Sequence, residues 1–88
     1  MTYAVIWSMD AIRQLNLLVN AAVVPTVVQE AARWVDYALR RVPADVGESR
    51  QPGRRLWYSD VLGVYYRIDS DAMRVDVIGV GPARRRKS

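Results

Sequence analysis

The sequence contains no cysteine and no histidine, and its only lysine is Lys87, next to the C-terminal residue. Without cysteine, disulfides and thiolate metal sites are impossible. Without histidine, imidazole-ligated metals, Ser-His-Asp catalysis and an imidazole switch near neutral pH are also excluded. A lysine at the end of the chain is poorly placed for a P-loop or a Schiff base. Any catalysis is therefore left to Arg, Tyr, Asp and Glu, and we expect no metal and no cofactor.

Long hydrophobic runs are also missing. No apolar stretch approaches the ~18 residues of a membrane span, and the N-terminus lacks the basic-then-apolar layout of a signal peptide. We therefore expect a cytoplasmic protein without a membrane partner. The 88 residues, 51% of them hydrophobic, suffice for one small domain that buries about 60–65% of its unfolded surface. We assign residues 1–82 to this domain and residues 83–88 to a basic C-terminal tail.

Positive charge is concentrated in the second half of the chain. The 13 basic and nine acidic residues give a net charge of +4, and four of the basic residues lie at positions 84–87. Residues 50–88 hold nine basic and four acidic residues, whereas residues 1–49 hold four and five. This asymmetry favours localised contact with a polyanion over a uniformly basic surface.

The first half of the chain predicts a strand followed by a helix hairpin. Tyr3–Trp7 is rich in β-branched and aromatic residues, and Ser8 suits the N-cap of a helix that runs to about residue 22. A second helix is expected from Thr26–Gln29, which has the spacing of a capping box, to about Arg41. Pro43 lies beyond the end of that helix because proline cannot donate to the helical ladder.

In the second half the hydrophobic period changes from 3.6 to 2. Residues 43–53 have the composition of a polar loop, and three strands follow at Arg54–Ser59, Leu62–Ile68 and Met73–Gly79. The order β-α-α-β-β-β predicts an α+β, two-layer sandwich, with the N-terminal strand and the helix hairpin packed on an antiparallel β-sheet. On the middle strand of the three, alternation separates two sets of side chains, namely Leu62, Val64, Tyr66 and Ile68 on one face and Gly63, Tyr65 and Arg67 on the other.

One face of this sheet is expected to be apolar and covered by the helices, and the other polar, aromatic and positively charged. We place Arg55 and Arg67 on this open face. Trp57 and Tyr65 are candidates for a platform on which bases stack, or for a packed aromatic pair. For Arg67 the alternative is a cross-strand ion pair with Asp76.

The order of elements and the C-terminal motifs resemble the RelE/ParE superfamily of bacterial toxins from type II toxin–antitoxin systems, which includes plasmid stabilisation proteins. The resemblance spans nearly the whole chain. It rests on the opening strand with Ser8, on the helix hairpin, and above all on Gly63–Ile68, a polar turn, and Val75–Gly81. It implies a growth-inhibiting toxin that is neutralised by a cognate antitoxin, an extended or helical segment of which wraps around it.

The resemblance implies one of two activities. RelE-like members are mRNA interferases that cut ribosome-bound mRNA, and ParE-like members poison DNA gyrase. Metal-independent RNA cleavage uses the 2′-hydroxyl as nucleophile, and guanidinium groups suit the binding and stabilisation of the phosphate. The candidate catalytic residues are Arg55, Arg67 and Arg84. The candidate nucleic-acid-binding residues are Arg54, Trp57, Tyr65, Arg85, Arg86 and Lys87.

Two departures from the family pattern favour the second activity. Gly63 stands where an RNA-cleaving relative often carries an arginine, and no tyrosine follows Ile78. The hypotheses are therefore a RelE-like ribonuclease, a ParE-like gyrase poison, and a decayed member that only binds an antitoxin. The basic tail is either a solvated segment or a sequence-independent contact to a polyanion.

Overall fold

The computed structural model describes residues 2–83, in which two helices cover one face of a five-stranded sheet. The α+β two-layer class is confirmed. The candidate residues Arg84, Arg85, Arg86 and Lys87 lie outside the described residues. The elements are β1 (Ala4–Trp7), α1 (Met9–Ala21), α2 (Pro25–Arg41), β2 (Glu48–Gln51), β3 (Arg54–Ser59), β4 (Leu62–Asp69) and β5 (Arg74–Pro82).

The sheet is mixed rather than purely antiparallel. Its strand order is β1-β5-β4-β3-β2, with β1 added at one edge parallel to β5 and all other pairs antiparallel. The helix hairpin between β1 and β2 supplies the long connection that leads away from the edge strand β1. Neither of the two helices in residues 2–83 is long and apolar enough to cross a bilayer.

The two helices begin by different means. At α1 the predicted cap is confirmed, since Ser8 Oγ accepts a hydrogen bond from the Ala11 N–H at 3.0 Å and donates one to the Ile78 carbonyl at 3.2 Å. At α2 the predicted capping box is wrong. The helix already starts at Pro25, and Val24 at the cap position makes no side-chain hydrogen bond. Proline favours this start because its fixed φ suits the first turn and its missing N–H has no partner there.

The predicted polar loop at 43–53 contains an additional strand. Glu48–Gln51 pairs antiparallel with β3 as the other edge of the sheet, and all four of its side chains are exposed. Left-handed backbone at Gly47 (φ 70°) and Gly53 (φ 76°) permits the turns at its two ends. Because all four residues are polar and exposed, this strand has no hydrophobic alternation that the sequence could reveal.

The core lies between the hairpin and one face of the sheet. A register shift between Tyr65 and Tyr66 pairs them with Gly79 and Val77, so Ile78 is an extra residue on β5. This bulge lets Val77 and Val80 both face the helices although they are three residues apart. The buried residues of the core are Ala11, Val28, Ala31, Val35, Leu39, Leu62, Val64, Tyr66, Val75, Val77 and Val80.

Tyr66 anchors the segment after α2 to the core. Its ring is fully buried, and its hydroxyl lies 2.7 Å from the Pro43 carbonyl and 2.9 Å from the Val46 carbonyl. The hydroxyl has one hydrogen to donate, so these two acceptors share it. Burial raises the pKa of this phenol above its usual range, an effect that the nearby Arg55 partly offsets.

We predict that Tyr66→Phe lowers the free energy of unfolding by about 1 kcal/mol because a buried carbonyl loses its donor. For a domain of this size the melting temperature falls by about 4–8 °C. Tyr37→Phe, at an exposed tyrosine, is the matched control and leaves stability unchanged. Urea unfolding followed by circular dichroism measures both variants.

The raised pKa of Tyr66 also predicts a pH dependence. The unfolded phenol ionises near pH 10 whereas the folded phenol stays protonated to higher pH, so stability is intact below about pH 10 and falls above it. Tyr66→Phe removes this contribution. An equally steep alkaline loss of stability in the native chain and in the variant contradicts the assignment.

Candidate nucleic-acid interface

The face of the sheet turned away from the helices, here called the open face, has two parts. Strand pairing sets Arg54 beside Arg67 in one row, Leu56, Tyr65 and Gly79 in a second, and Tyr58, Gly63 and Gly81 in a third. Cross-strand neighbours share a face. The first row and the start of β5 form a charged part, and the other two rows form an aromatic and glycine-rich part.

The charged part is held together by Asp76. Its carboxylate lies 2.8 Å from Arg67 Nη2 and 3.0 Å from Arg74 Nε, and Arg74 also lies 3.6 Å from Asp69. Hydrogen bonding to Arg67 holds the pKa of Asp76 below its usual range. The cross-strand ion pair considered for Arg67 is therefore present. An incoming phosphate would have to compete with Asp76 for this guanidinium.

Arg54 is the basic residue of the open face that the ion pairs leave available. Within residues 2–83 it takes part in none of the ion pairs. Its direct cross-strand neighbour is Arg67. Like charges placed side by side on neighbouring strands repel each other, and an anion bound between them relieves that repulsion. The strand pairing thus places two arginines side by side on this face, one of them already paired with Asp76.

Arg55 and Trp57 do not lie where the sequence placed them. Arg55 is the cross-strand partner of Tyr66, and Trp57 that of Val64, so both side chains lie on the helix-covered face. Arg55 donates from Nε to the Val46 carbonyl at 3.0 Å and from Nη2 to the Gly47 carbonyl at 2.9 Å. The expected positions of Arg55 on the open face and of Trp57 beside Tyr65 are wrong, because β3 carries large side chains on both faces and its alternation is ambiguous.

The aromatic and glycine-rich part forms a cleft of about 310 Å³, here called the glycine cleft. Its lining residues are Gln14, Leu56, Tyr58, Gly63, Tyr65, Gly79, Val80, Gly81 and Pro82. Sequence reasoning found Tyr65 and missed the rest as site residues. The available signals were the parity of Tyr58 and the Gly-Val-Gly spacing of 79–81.

The glycines of this cleft have different surroundings. A Cβ atom at Gly63 would lie 2.9 Å from Cε1 of Tyr58, so the tyrosine ring rests directly on this glycine. A Cβ at Gly81 would meet no atom within 4 Å, and one at Gly79 only Gln14 Oε1 at 3.6 Å. Gly63 is therefore covered by Tyr58, whereas the floor over β5 is open. An arginine at position 63 would displace the ring of Tyr58.

A second, larger depression of about 700 Å³ lies on the other side of the molecule, here called the helix groove. Asp36 within it accepts hydrogen bonds from Trp7 Nε1 at 3.0 Å and from Arg40 Nε at 2.7 Å. The ring of Tyr37 stacks on Trp34, and the Arg41 guanidinium lies 3.8 Å from its centroid. The groove is lined by Trp7, Ile12, Leu15, Ala32, Arg33, Asp36, Tyr37, Arg40 and Arg41.

No group of three or more acidic residues within the part of the chain that the structure describes is arranged to hold a metal ion. Accordingly, no residue is assigned as a metal ligand.

No family model and no curated protein matches the chain. Solved structures do. The toxin–antitoxin complex RelBE2 from Mycobacterium tuberculosis contains a chain that is 23% identical, with a TM-score of 0.76 over 96% of this chain and 100% of that chain. The chromosomal ParDE system from P. aeruginosa gives 14% identity and a TM-score of 0.73 over 93% and 97%. The isolated E. coli RelE toxin gives 17% and 0.66 over 97% and 88%. The chain therefore has the RelE/ParE toxin fold, as the resemblance predicted.

The ion pair of Arg67 with Asp76 predicts a measurable titration. Arg67→Ala removes the largest contribution to the lowered pKa of Asp76, which then moves up towards its usual range while Arg74 remains as a partner. Because the folded pKa is depressed, the pair stabilises the protein above the unfolded pKa of about 3.9, and this contribution is lost as the pH falls through the folded pKa.

NMR titration of the Asp76 carboxyl carbon measures the shift directly. Arg13→Ala, which removes an exposed arginine of α1, is the control and leaves the Asp76 titration unchanged. An Asp76 pKa that is the same in Arg67→Ala and in the native chain contradicts the pairing.

Proposed function

We propose that this chain, which has the RelE/ParE toxin fold, is the toxin of a type II toxin–antitoxin pair that acts in the cytoplasm. Its activity is RelE-like cleavage of ribosome-bound mRNA, and a cognate antitoxin neutralises it. The observation that carries the proposal is the open face, where Arg54 lies beside Arg67 and next to the row of Tyr65. Phosphate-binding guanidinium groups beside aromatic rings match the chemistry of a single-stranded RNA.

The cleavage step requires no metal. The ribose 2′-oxygen attacks the adjacent phosphorus and the bond to the 5′-oxygen breaks, which leaves a 2′,3′-cyclic phosphate. The 2′-hydroxyl proton passes to water, and water protonates the departing 5′-oxygen. Arg54 and Arg67 hold the non-bridging oxygens and stabilise the charge that builds up on them. In this scheme Arg67 leaves Asp76 for the phosphate.

The remaining candidates have different places in this scheme. Arg55 has no part in it, because its guanidinium lies on the helix-covered face and binds two carbonyl groups. Arg84 is proposed as a third phosphate ligand. Arg85, Arg86 and Lys87 are proposed to add sequence-independent attraction to RNA, which weakens as the salt concentration rises.

A ParE-like action on DNA gyrase is the second candidate. It is favoured by Gly63, which offers no side chain to a phosphate, and by the ion pair between Asp76 and Arg67. These two features leave Arg54 as the unpaired guanidinium of the open face within residues 2–83. A gyrase poison needs a binding surface and no chemical step, so it tolerates such a face.

The RNA proposal predicts that expression of the chain arrests growth and that primer extension detects new 5′ ends in mRNA. Arg54→Ala lowers the rate of cleavage by about 10²–10³-fold, the usual cost of losing one group that stabilises a transition state. Arg13→Ala removes the same charge from α1, where its arginine is exposed and pairs with Asp10, and retains the native rate. Growth arrest with trapped gyrase–DNA complexes and intact mRNA supports the second candidate instead.

We propose that the antitoxin binds in the helix groove. The walls of the groove are apolar at Trp7, Ile12 and Leu15, and its rim carries three arginines against a single carboxylate that Trp7 and Arg40 already bind. Such a surface fits an amphipathic segment with apolar anchors and acidic flanks. The side chain of Ile12 is exposed and lines the groove.

Co-expression with the product of the neighbouring reading frame is expected to restore growth. Ile12→Glu places a charge on the apolar wall of the groove and is expected to abolish this rescue while growth arrest by the chain alone persists. Leu17→Glu, at an exposed position of the same helix outside the groove, preserves the rescue. Rescue of both variants to the same degree contradicts the assignment of the groove.

A further inference from the structure

We infer that the glycine cleft is a subsite for one unpaired base of a single-stranded RNA, the phosphates of which lie at Arg54 and Arg67. The inference rests on the proposed RNA target. It adds a binding element that the phosphate chemistry does not require. Four features of the cleft carry it, namely its floor, its aromatic walls, its size and its distance from the arginines.

The floor of the cleft is bare backbone. Gly79 and Gly81 occupy the two open-face positions on the C-terminal half of β5, and a Cβ at Gly81 would meet no atom within 4 Å. Over Gly81 the strand therefore carries open space where a side chain would otherwise stand, whereas near Gly79 the cleft is bordered by Gln14 Oε1, which accepts the Val80 N–H at 2.7 Å. A planar group can lie flat against a sheet only at such a place, because side chains normally stand perpendicular to it.

The walls of the cleft are aromatic. Tyr65 lies beside Gly79 in the same cross-strand row, and Tyr58 begins the row that ends at Gly81. One side of the Tyr58 ring rests on Gly63, while just over half of this residue's surface stays exposed. Tyrosine rings in this position offer stacking surfaces to any base, since every base has a π-face.

The dimensions of the cleft match a single base with its sugar and phosphate nearby. The volume of about 310 Å³ is at the small end of ligand-binding clefts. Along β4, Arg67 follows Tyr65 by two residues on the same face, a separation of about 6.6 Å at the usual rise of a strand. This distance is comparable to the reach from a base to a phosphate of its own nucleotide, so one strand can occupy both the cleft and the arginine pair.

The charge next to the cleft favours a nucleic acid over a protein segment. No acidic residue lines the cleft, and the adjoining Arg54 is outside every ion pair of residues 2–83. Bases in a duplex have both faces covered, so the occupant must be single-stranded. A hydrophobic protein anchor would not use the neighbouring arginines.

The test is fluorescence anisotropy of the full 88-residue chain with a short, fluorescein-labelled 2′-O-methyl RNA. The 2′-O-methyl group removes the nucleophile, so binding is measured without cleavage. Tyr65→Ala is expected to weaken binding about 5- to 150-fold, the range reported for loss of one stacked base. Tyr58→Ala is expected to do the same, and Tyr58→Phe to restore affinity because it keeps the ring.

Gly81→Val separates binding from folding. The new side chain points into open space and fills the cleft, so it is expected to weaken binding without lowering the melting temperature. Ser49→Val introduces the same side chain on the exposed edge strand β2 outside the cleft and should bind as the native chain does. A loss of binding in Tyr58→Ala alone is ambiguous, because this change also uncovers Gly63 and can lower stability. The melting temperature of each variant shows whether lost affinity reflects lost stability.

Two further measurements identify what the cleft holds. A probe lacking one base should lose affinity for the native chain, and Tyr65→Ala should add little to that loss, as expected for two partners of one contact. Arg54→Ala should lower the slope of log affinity against log salt by about 0.7, whereas the Tyr65 and Gly81 variants leave the slope unchanged.

Native affinity in Tyr65→Ala and Gly81→Val, or full affinity for the probe that lacks a base, would overturn the subsite. The subsite is also overturned if the chain binds no RNA at low salt. This result would hold even if the open face were found to bind gyrase instead. Failure of the proposed ribonuclease activity is distinguishable from these results. A chain that leaves mRNA intact but shows the expected binding pattern retains the subsite.

Discussion

Pairing of β4 with β3 on one side and β5 on the other decides which side chains reach each face of the sheet. The bulge at Ile78 is the key element of this pairing, because it directs both Val77 and Val80 towards the helices while Tyr65 and Gly79 remain on the open face. A slip of one residue would exchange the two faces of a strand. The buried ring of Tyr66, tied through its hydroxyl to the segment after α2, opposes such a slip.

The same register sorts the basic residues of the second half into separate roles. Arg55 supports the Val46–Gly47 turn from the helix-covered face, Arg74 shares Asp76 with Arg67, and Arg54 is left outside the ion pairs of residues 2–83. Net charge is therefore a poor guide to how many guanidinium groups of this surface are available to bind a phosphate. Of the five basic side chains of this half that lie within residues 2–83, four already have partners, and the ability to bind a phosphate depends on which of them can be released.

The helix groove and the glycine cleft suit ligands of different chemistry. The helix groove is wide and apolar with an arginine rim, whereas the glycine cleft is small, flat-floored and bordered by tyrosines. They share no lining residue, the groove being built from β1 at Trp7, α1 and α2, and the cleft from β3, β4, β5 and Gln14 of α1. Under the proposed function, a target on the open face and an antitoxin in the groove would bind to separate surfaces.

Local patterns in the sequence were sufficient for the class of fold. The helical stripes, the Ser8 cap and the alternation of β4 each reflect interactions between residues close in sequence, and they led to the α+β sandwich and to the ion pair of Arg67. The tertiary structure alone decided that Glu48–Gln51 is a strand, that β1 lies parallel to β5, and that Arg55 and Trp57 face the helices. An edge strand with exposed polar side chains leaves no hydrophobic signal, and the face of β3 is set by its partner because both of its faces carry large residues. The glycine cleft likewise exists only where three strands align Tyr58, Tyr65 and Gly81, since each of these residues alone has an ordinary place in a sheet.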